Sequence, residues 1–233
     1  MTMHIPIKTT LIALTTLLAA CTSDGYQSGD GRYSAMRADF VEAATDGTAA
    51  ITTISTDDGN TLTLTQTVKT KWAQKADSTY RALAYYNPVA TVPGANEAEL
   101  MALQSVAVPT VKRPNDIENG LKTDPVSLNS VWLSRSGRYL NLDISLKTGR
   151  SDDEDATQTI GAALTGKTLN TDGTTTFTLT LHHDQGSVPE YYSTACYVSI
   201  PLYRGLLTPT AGDTVAIDIT TYKGKTVKTF TIK

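Results

Sequence analysis

Tyr139-Leu140-Asn141-Leu142-Asp143-Ile144-Ser145-Leu146 alternates apolar and polar side chains without a break. A period of two is the pattern of a β-strand with one face on a core and the other turned outward. The same alternation returns downstream. Phe177, Leu179 and Leu181 alternate with Thr176, Thr178 and Thr180, and Cys196, Val198 and Ile200 share one face of a long strand from Tyr192 to Leu202. Val215, Ile217 and Ile219 lead into a hairpin at Lys223-Gly224 and a last strand ending at Ile232. Val126 to Leu133, carrying Trp132, precedes them. About seven short strands with turn signals between them predict a β-sandwich. Within this block, Ala162, Ala163 and Leu164 follow an acidic start, so a short helix is expected in 153–165.

The N-terminal half reads as a second all-β unit. Tyr33 to Ala43 is strand-like, with Met36, Ala38 and Phe40 on one face. Ala49 to Ser55 and Thr61 to Thr67 flank Asp57-Asp58-Gly59-Asn60, a hairpin signature. Tyr80 to Tyr86 is a strand that Asn87-Pro88 should close. Asn96 to Val108 is two-sided: Asn96 and Glu99 could cap a helix, while Leu103 to Val111 reads as a strand. The texture changes at Lys112-Arg113-Pro114-Asn115, which places a domain boundary between about 112 and 122. The expected domains are 32–113 and 120–233.

Composition agrees with an all-β chain. Threonine is about one residue in six, and tyrosine is the dominant aromatic; both fit a pleated, half-buried surface. Apolar content of 40% supports real cores. The net charge of -3 gives no electrostatic reason to bind nucleic acid.

Residues 1–20 have a different character. A short stretch with one cation, Lys8, leads into an apolar run from near Leu11 that ends in Leu18-Ala19-Ala20-Cys21. The run falls short of the about 20 apolar residues that a membrane-spanning helix needs, and has the size of a signal-peptide core. A cysteine directly after small residues resembles the lipobox of a bacterial lipoprotein, which implies cleavage before Cys21 and lipid on that residue. Residues 21–31 would then be a lipidated polar tether. With Cys21 lipidated, Cys196 has no partner, and the exported protein folds without a disulfide. No aspartate follows Cys21, so the outer membrane is the default, on either its periplasmic or its surface face.

Several ordered segments carry a wider resemblance. They are Ala84-Tyr85-Tyr86-Asn87-Pro88, Asp124-Pro125-Val126-Ser127-Leu128, Ser130-Val131-Trp132, Tyr139-Leu140-Asn141-Leu142, His182-His183-Asp184-Gln185 and Ser199-Ile200-Pro201-Leu202. Together with the lipobox, their order resembles the NigD-like lipoproteins of Bacteroidota. That resemblance implies an N-terminal OB-type β-barrel and a C-terminal immunoglobulin-like β-sandwich. It also implies a link to a bacteriocin gene cluster, with an immunity or accessory role. It assigns no catalytic residue.

His182 and His183 are adjacent on a strand, so they point to opposite faces and cannot share one ion; Asp184 or Glu190 would have to complete any single-histidine site. Cys196 lies on an apolar face and reads as a small buried hydrophobe. Asp152-Asp153-Glu154-Asp155 lacks the alternating ligands and mid-loop glycine of a calcium loop and reads as a solvated loop. Lys69, Lys71, Trp72, Lys75 and Arg81 form one basic-aromatic cluster of the kind that OB folds use for ligands. No nucleophile elbow, phosphate loop or zinc helix is present in the sequence.

The reading is a lipid-anchored envelope protein that works by recognition of a protein or glycan partner, without a metal, cofactor or catalytic centre. Bacteriocin immunity is the second reading and an envelope hydrolase the third. Trp72, Lys69, Lys71, Tyr191 and Tyr222 are the candidate binding residues, and Cys21 the lipidation site.

Overall fold

Thirteen strands follow one another in the computed structural model, which describes residues 36–89, 96–151 and 156–233. Residues 1–20, Cys21, the tether 21–31 and the acidic run Asp152-Asp153-Glu154-Asp155 lie outside the described residues.

The first five strands are β1 (Arg37–Thr45), β2 (Ile51–Thr56), β3 (Thr61–Val68), β4 (Thr79–Val89) and β5 (Glu97–Ser105). They close into a barrel in the order β1-β2-β3-β5-β4. A five-stranded closed barrel of this kind is the OB architecture. The β2–β3 hairpin turns at Asp57-Asp58-Gly59-Asn60, where Gly59 takes φ 86°, a conformation open to glycine at no steric cost. The barrel core is narrow and filled largely by small residues: Val41, Ala43, Ile51, Ile54, Leu64, Ala82, Ala84 and Ala98 surround Tyr86.

Three details of the barrel differ from expectation. On β1 the core face carries Val41 and Ala43, whereas Phe40 points away from the barrel interior and packs on aromatic rings of the second domain. A barrel this small takes alanine inside, and the face that Phe40 shares with Ala38 is the other one. β4 also runs through Pro88 to Val89. Among the described residues its pairing with β1 runs to Tyr86, and residues 87–89 pair with β5. Finally, Glu97–Ser105 is strand and no helix forms there. Its ladder with β4 outweighs the local capping signal.

The other strands are β6 (Val111–Lys112), β7 (Ser127–Leu133), β8 (Tyr139–Thr148), β9 (Thr159–Leu169), β10 (Thr175–Asp184), β11 (Tyr192–Pro201), β12 (Thr214–Thr221) and β13 (Gly224–Thr231). A five-stranded sheet, β13-β12-β10-β9-β6, faces a three-stranded sheet, β11-β8-β7. Leu140, Leu142 and Ile144 of β8, Val198 and Ile200 of β11, Leu179 and Leu181 of β10, and Val215, Ile217 and Ile219 of β12 fill the space between them. This is the expected immunoglobulin-like sandwich. Where a short helix was expected, β9 forms instead: Ile160, Ala162 and Leu164 alternate onto the core, which is period two and not 3.6.

The strongest strand of the sequence holds one surprise. β8 is covered on both faces over its first half, because Tyr139 and Asn141 are as deeply buried as Leu140 and Leu142. Their outward face is covered by the barrel.

Candidate functional site

Alternation sets which side chains meet at the junction. On the barrel, Phe40 and Glu42 of β1 lie across from Leu83 and Arg81 of β4. On the sandwich, Tyr139 and Asn141 of β8 lie across from Pro201 and Ser199 of β11. These two faces come together, and Arg81 is the residue that joins them.

The Arg81 side chain is 1% exposed. Its Nη1 and Nη2 donate to Asp57 Oδ1 and Oδ2, each at 2.7 Å. Nε donates to Ser199 Oγ at 3.1 Å, and Nη2 also donates to Asn141 Oδ1 at 3.3 Å. Ser199 Oγ donates to Asn141 Oδ1 at 2.6 Å, and Asn141 Nδ2 donates to Asp57 Oδ2 at 3.4 Å. The guanidinium lies 4.0 Å from the Tyr139 ring centre and 5.5 Å from that of Phe40. A planar five-donor fork suits a buried bidentate pair of this kind. Phe40 completes the contact edge-on to Trp132 and Tyr197, at 5.3 and 5.6 Å between centres. Arg81 therefore does not belong to a basic surface beside Trp72; it is the buried centre of the domain junction.

A cleft of about 370 Å³ opens beside this centre. Glu42, Trp72, Tyr80, Arg138, Tyr139, Tyr203 and Arg204 line it. Tyr139 donates its hydroxyl proton to Glu42 Oε1 at 2.7 Å, and Arg138 Nη1 donates to Glu42 Oε2 at 3.1 Å. The Tyr139 and Tyr203 hydroxyls are 3.1 Å apart. Burial first, then these hydrogen bonds with Tyr203 and Glu42, hold the Tyr139 hydroxyl far above its ordinary range, so it stays protonated. The Arg138 guanidinium stacks 4.2 Å from the Tyr203 ring centre, and Arg204 sits 5.6 Å from the same ring. Trp72 meets Tyr80 edge-on at 5.9 Å. The cleft therefore combines aromatic walls, three guanidinium groups, of which that of Arg81 is held by Asp57, and one engaged carboxylate. Such a set can stack a ring and hold an anionic group.

Trp72 is half-buried in this cleft and also borders a shallow surface with Lys71 and Lys75. Lys69 is exposed just beyond the end of β3. Tyr191 and Tyr222 belong to the sandwich. Tyr191 is 77% exposed and lies over Gly149, where a Cβ would come within 2.7 Å of its ring. Tyr222 donates to Glu190 Oε2 at 3.3 Å. The candidate residues thus form two groups, one on each domain. Arg138, Tyr139, Tyr203 and Arg204 were missed. The trace they leave is the adjacent Arg-Tyr and Tyr-Arg pairs at the start of β8 and just after β11.

The other candidates have structural partners. His182 Nδ1 accepts from the Lys122 amide at 3.1 Å. His183 lies 3.1 Å from the Asp124 carbonyl through Nδ1 and 3.3 Å from Gln158 Oε1 through Nε2. Asp184 Oδ1 accepts from the Gly186 amide in the following turn. Among the described residues no group of three or more His, Cys, Asp or Glu could hold a metal ion. Cys196 packs on the sandwich core, and burial pushes its thiol up.

Residues 109–233, more than half of the chain, match the family described as the NigD-like C-terminal beta sandwich domain. No curated protein matches the chain. Solved structures share the fold across both domains. A NigD-like immunity protein from Bacteroides caccae is 24% identical, with a TM-score of 0.60 over 83% of this chain and 91% of that one. A proposed toxin-related protein from Parabacteroides distasonis is 20% identical, with a TM-score of 0.62 over 84% and 92%. A proposed lipoprotein from Bacteroides fragilis is 14% identical, with a TM-score of 0.59 over 85% and 98%. The match spans the whole sandwich that carries Tyr139, Asn141 and Ser199, and on that ground the chain belongs to the NigD-like family.

Proposed function

We propose that this protein is a lipid-anchored envelope protein that recognises a partner, a glycan or a protein surface, through the cleft at its domain junction. The observation that carries this reading is the grouping of Trp72, Tyr80 and Tyr203 with Arg138 and Arg204 in one opening between two domains. Clefts at domain interfaces are preferred ligand sites. Aromatic walls with guanidinium groups suit a sugar ring bearing an acidic substituent. Recognition without turnover is favoured because one carboxylate, Glu42, lines the cleft. Common glycoside hydrolysis uses two, and Glu42 is already engaged by Tyr139 and Arg138.

Attachment at Cys21, at the outer membrane on its periplasmic or surface face, rests on the lipobox-like Leu18-Ala19-Ala20-Cys21. The fold shared with a proposed lipoprotein of Bacteroides fragilis supports it. No described helix is long and apolar enough to cross a membrane. Several acyl chains would give stable attachment, at about 0.8 kcal/mol per buried CH₂. An immunity or accessory role is the second reading, favoured by the fold shared with the Bacteroides caccae immunity protein.

The test is an array of neutral and acidic glycans, with envelope extracts, probed with purified protein starting after residue 21. Binding that falls with Tyr203→Ala and Trp72→Ala, but not with Tyr191→Ala, is the expected result. Turnover of a hydrolase substrate, lost in Glu42→Gln, would replace this reading with an enzyme. In cells, Cys21→Ala should yield an unprocessed or soluble species; full membrane partition of that variant would remove the anchor.

A further inference from the structure

The two sheets of the sandwich are unequal, five strands against three. Among the described strands β7 pairs only with β8, and β13 only with β12. These two free edges lie beside each other, and a groove of about 700 Å³ runs between them.

The register of β13 shows what the groove floor is. Phe230, Lys228 and Thr226 lie across from Val215, Ile217 and Ile219, whose side chains fill the core. Their side chains therefore share the inner face of the sheet. Phe230 packs against the core, but Lys228 is exposed although it sits on the core-facing side. Among the described strands none lies on the free side of β7 above it. Leu128 and Val131 of β7 form the apolar wall, and among the described residues no carboxylate lines the groove. Lys223 and Lys228 make it cationic in a chain of net charge -3.

We propose that this groove receives an extended, acidic segment of a partner protein, added as a fourth strand along the free edge of β7. Main-chain hydrogen bonds to an open sheet edge supply affinity, and alternate side chains of the added strand supply specificity. Every second residue of that strand would face the floor, an apolar one meeting Phe230 and an acidic one meeting Lys228. An added strand would sit about 4.8 Å from β7, the ordinary spacing of neighbours in a sheet. This surface is separate from the junction cleft, and the two stand or fall independently.

An inward-pointing lysine also serves to keep a sheet edge from pairing, and the experiment distinguishes the two roles. Peptides of about eight residues, matched to the length of β7, carry threonine at every second position and, at the positions between, valine alternating with aspartate or valine alternating with lysine, so that one face presents both an apolar and a charged residue. Binding to the full protein is followed by titration calorimetry and by hydrogen exchange of the Ser127–Leu133 amides. The acidic peptide should bind, slow exchange in β7, and lose about tenfold in affinity with Lys228→Glu, while the lysine peptide gains. Thermal melting of Lys228→Glu confirms that it remains folded. Failure of the acidic peptide to bind, equal binding of both peptides, or unchanged affinity in Lys228→Glu would overturn the proposal. So would a dimer of this chain, seen by sedimentation, that protects the same amides.

Discussion

Arg81 of the barrel holds its guanidinium 4.0 Å from the ring centre of Tyr139 in the sandwich, while the same group forms a bidentate pair with Asp57. One side chain thus bridges two domains whose hydrophobic cores are separate clusters.

Removing it should be costly. Breaking a buried ion pair by deleting one partner leaves an uncompensated charge, worth about 3–5 kcal/mol. Asp57 is 18% exposed, so Arg81→Ala should fall near the low end of that range in urea unfolding. Arg81→Lys should recover little, since an ammonium cannot reproduce the fork. Arg135→Ala is the control: its pair with Asp58 is 3.3 Å long but exposed, so a change within about 0.5 kcal/mol is expected. Equal effects of the two alanine variants would refute the junction's role.

Alkali should weaken the fold through Tyr86. Burial, then the hydrogen bond it donates to Asp39 at 2.7 Å, pushes its pKa up to about 12, against about 10 in an unfolded chain. The fold favours the neutral phenol, so this stabilisation is complete below pH about 10 and is lost as pH rises towards about 12. Tyr139 acts in the same direction. Unfolding midpoints measured across that window should decline, and Tyr86→Phe should decline less steeply. Identical slopes would show that other groups control the alkaline limb.

Cys196 should label slowly with a thiol reagent in the native protein and quickly after unfolding, because it packs on the core and burial raises its pKa. Cys196→Ala should cost about 1 kcal/mol. Fast native labelling would contradict the packing.

Each domain should fold alone, since each has its own core. The sandwich needs its first strand: Val111–Lys112 pair with Ala162 and Ala163 of β9. A fragment starting at residue 107 should therefore melt cooperatively and at a higher temperature than one starting at 118. Melting curves of the two fragments decide the matter, and two unfolded fragments would mean that the barrel is required.

Much of this architecture could be read from alternation. Leu140, Leu142 and Ile144, or Val215, Ile217 and Ile219, mark buried faces because a period of two has a single geometric meaning. The junction could not be read that way. Asn141 and Ser199 look like residues facing water, and nothing local distinguishes water from an arginine arriving from residue 81. Arg81 itself, between Tyr80 and Ala82, looked like surface charge. Phe40 and Val41 make β1 apolar on both faces, and nothing local says which of the two is the barrel core. The cleft residues were hidden for the same reason: Glu42 and Arg138 meet only after two domains dock.

The barrel and its ion pair also carry an order of events. All five barrel strands lie within Arg37–Ser105, and the partner of Arg81, Asp57, lies inside the same stretch. Ser199 and Asn141 join Arg81 from strands made much later, and β6 waits for β9 some 50 residues on. As the chain emerges from the ribosome or an export channel, the barrel can close with its buried charge already neutralised. The sandwich then assembles against a finished surface, which shortens the time during which its unpaired strands are exposed to aggregation.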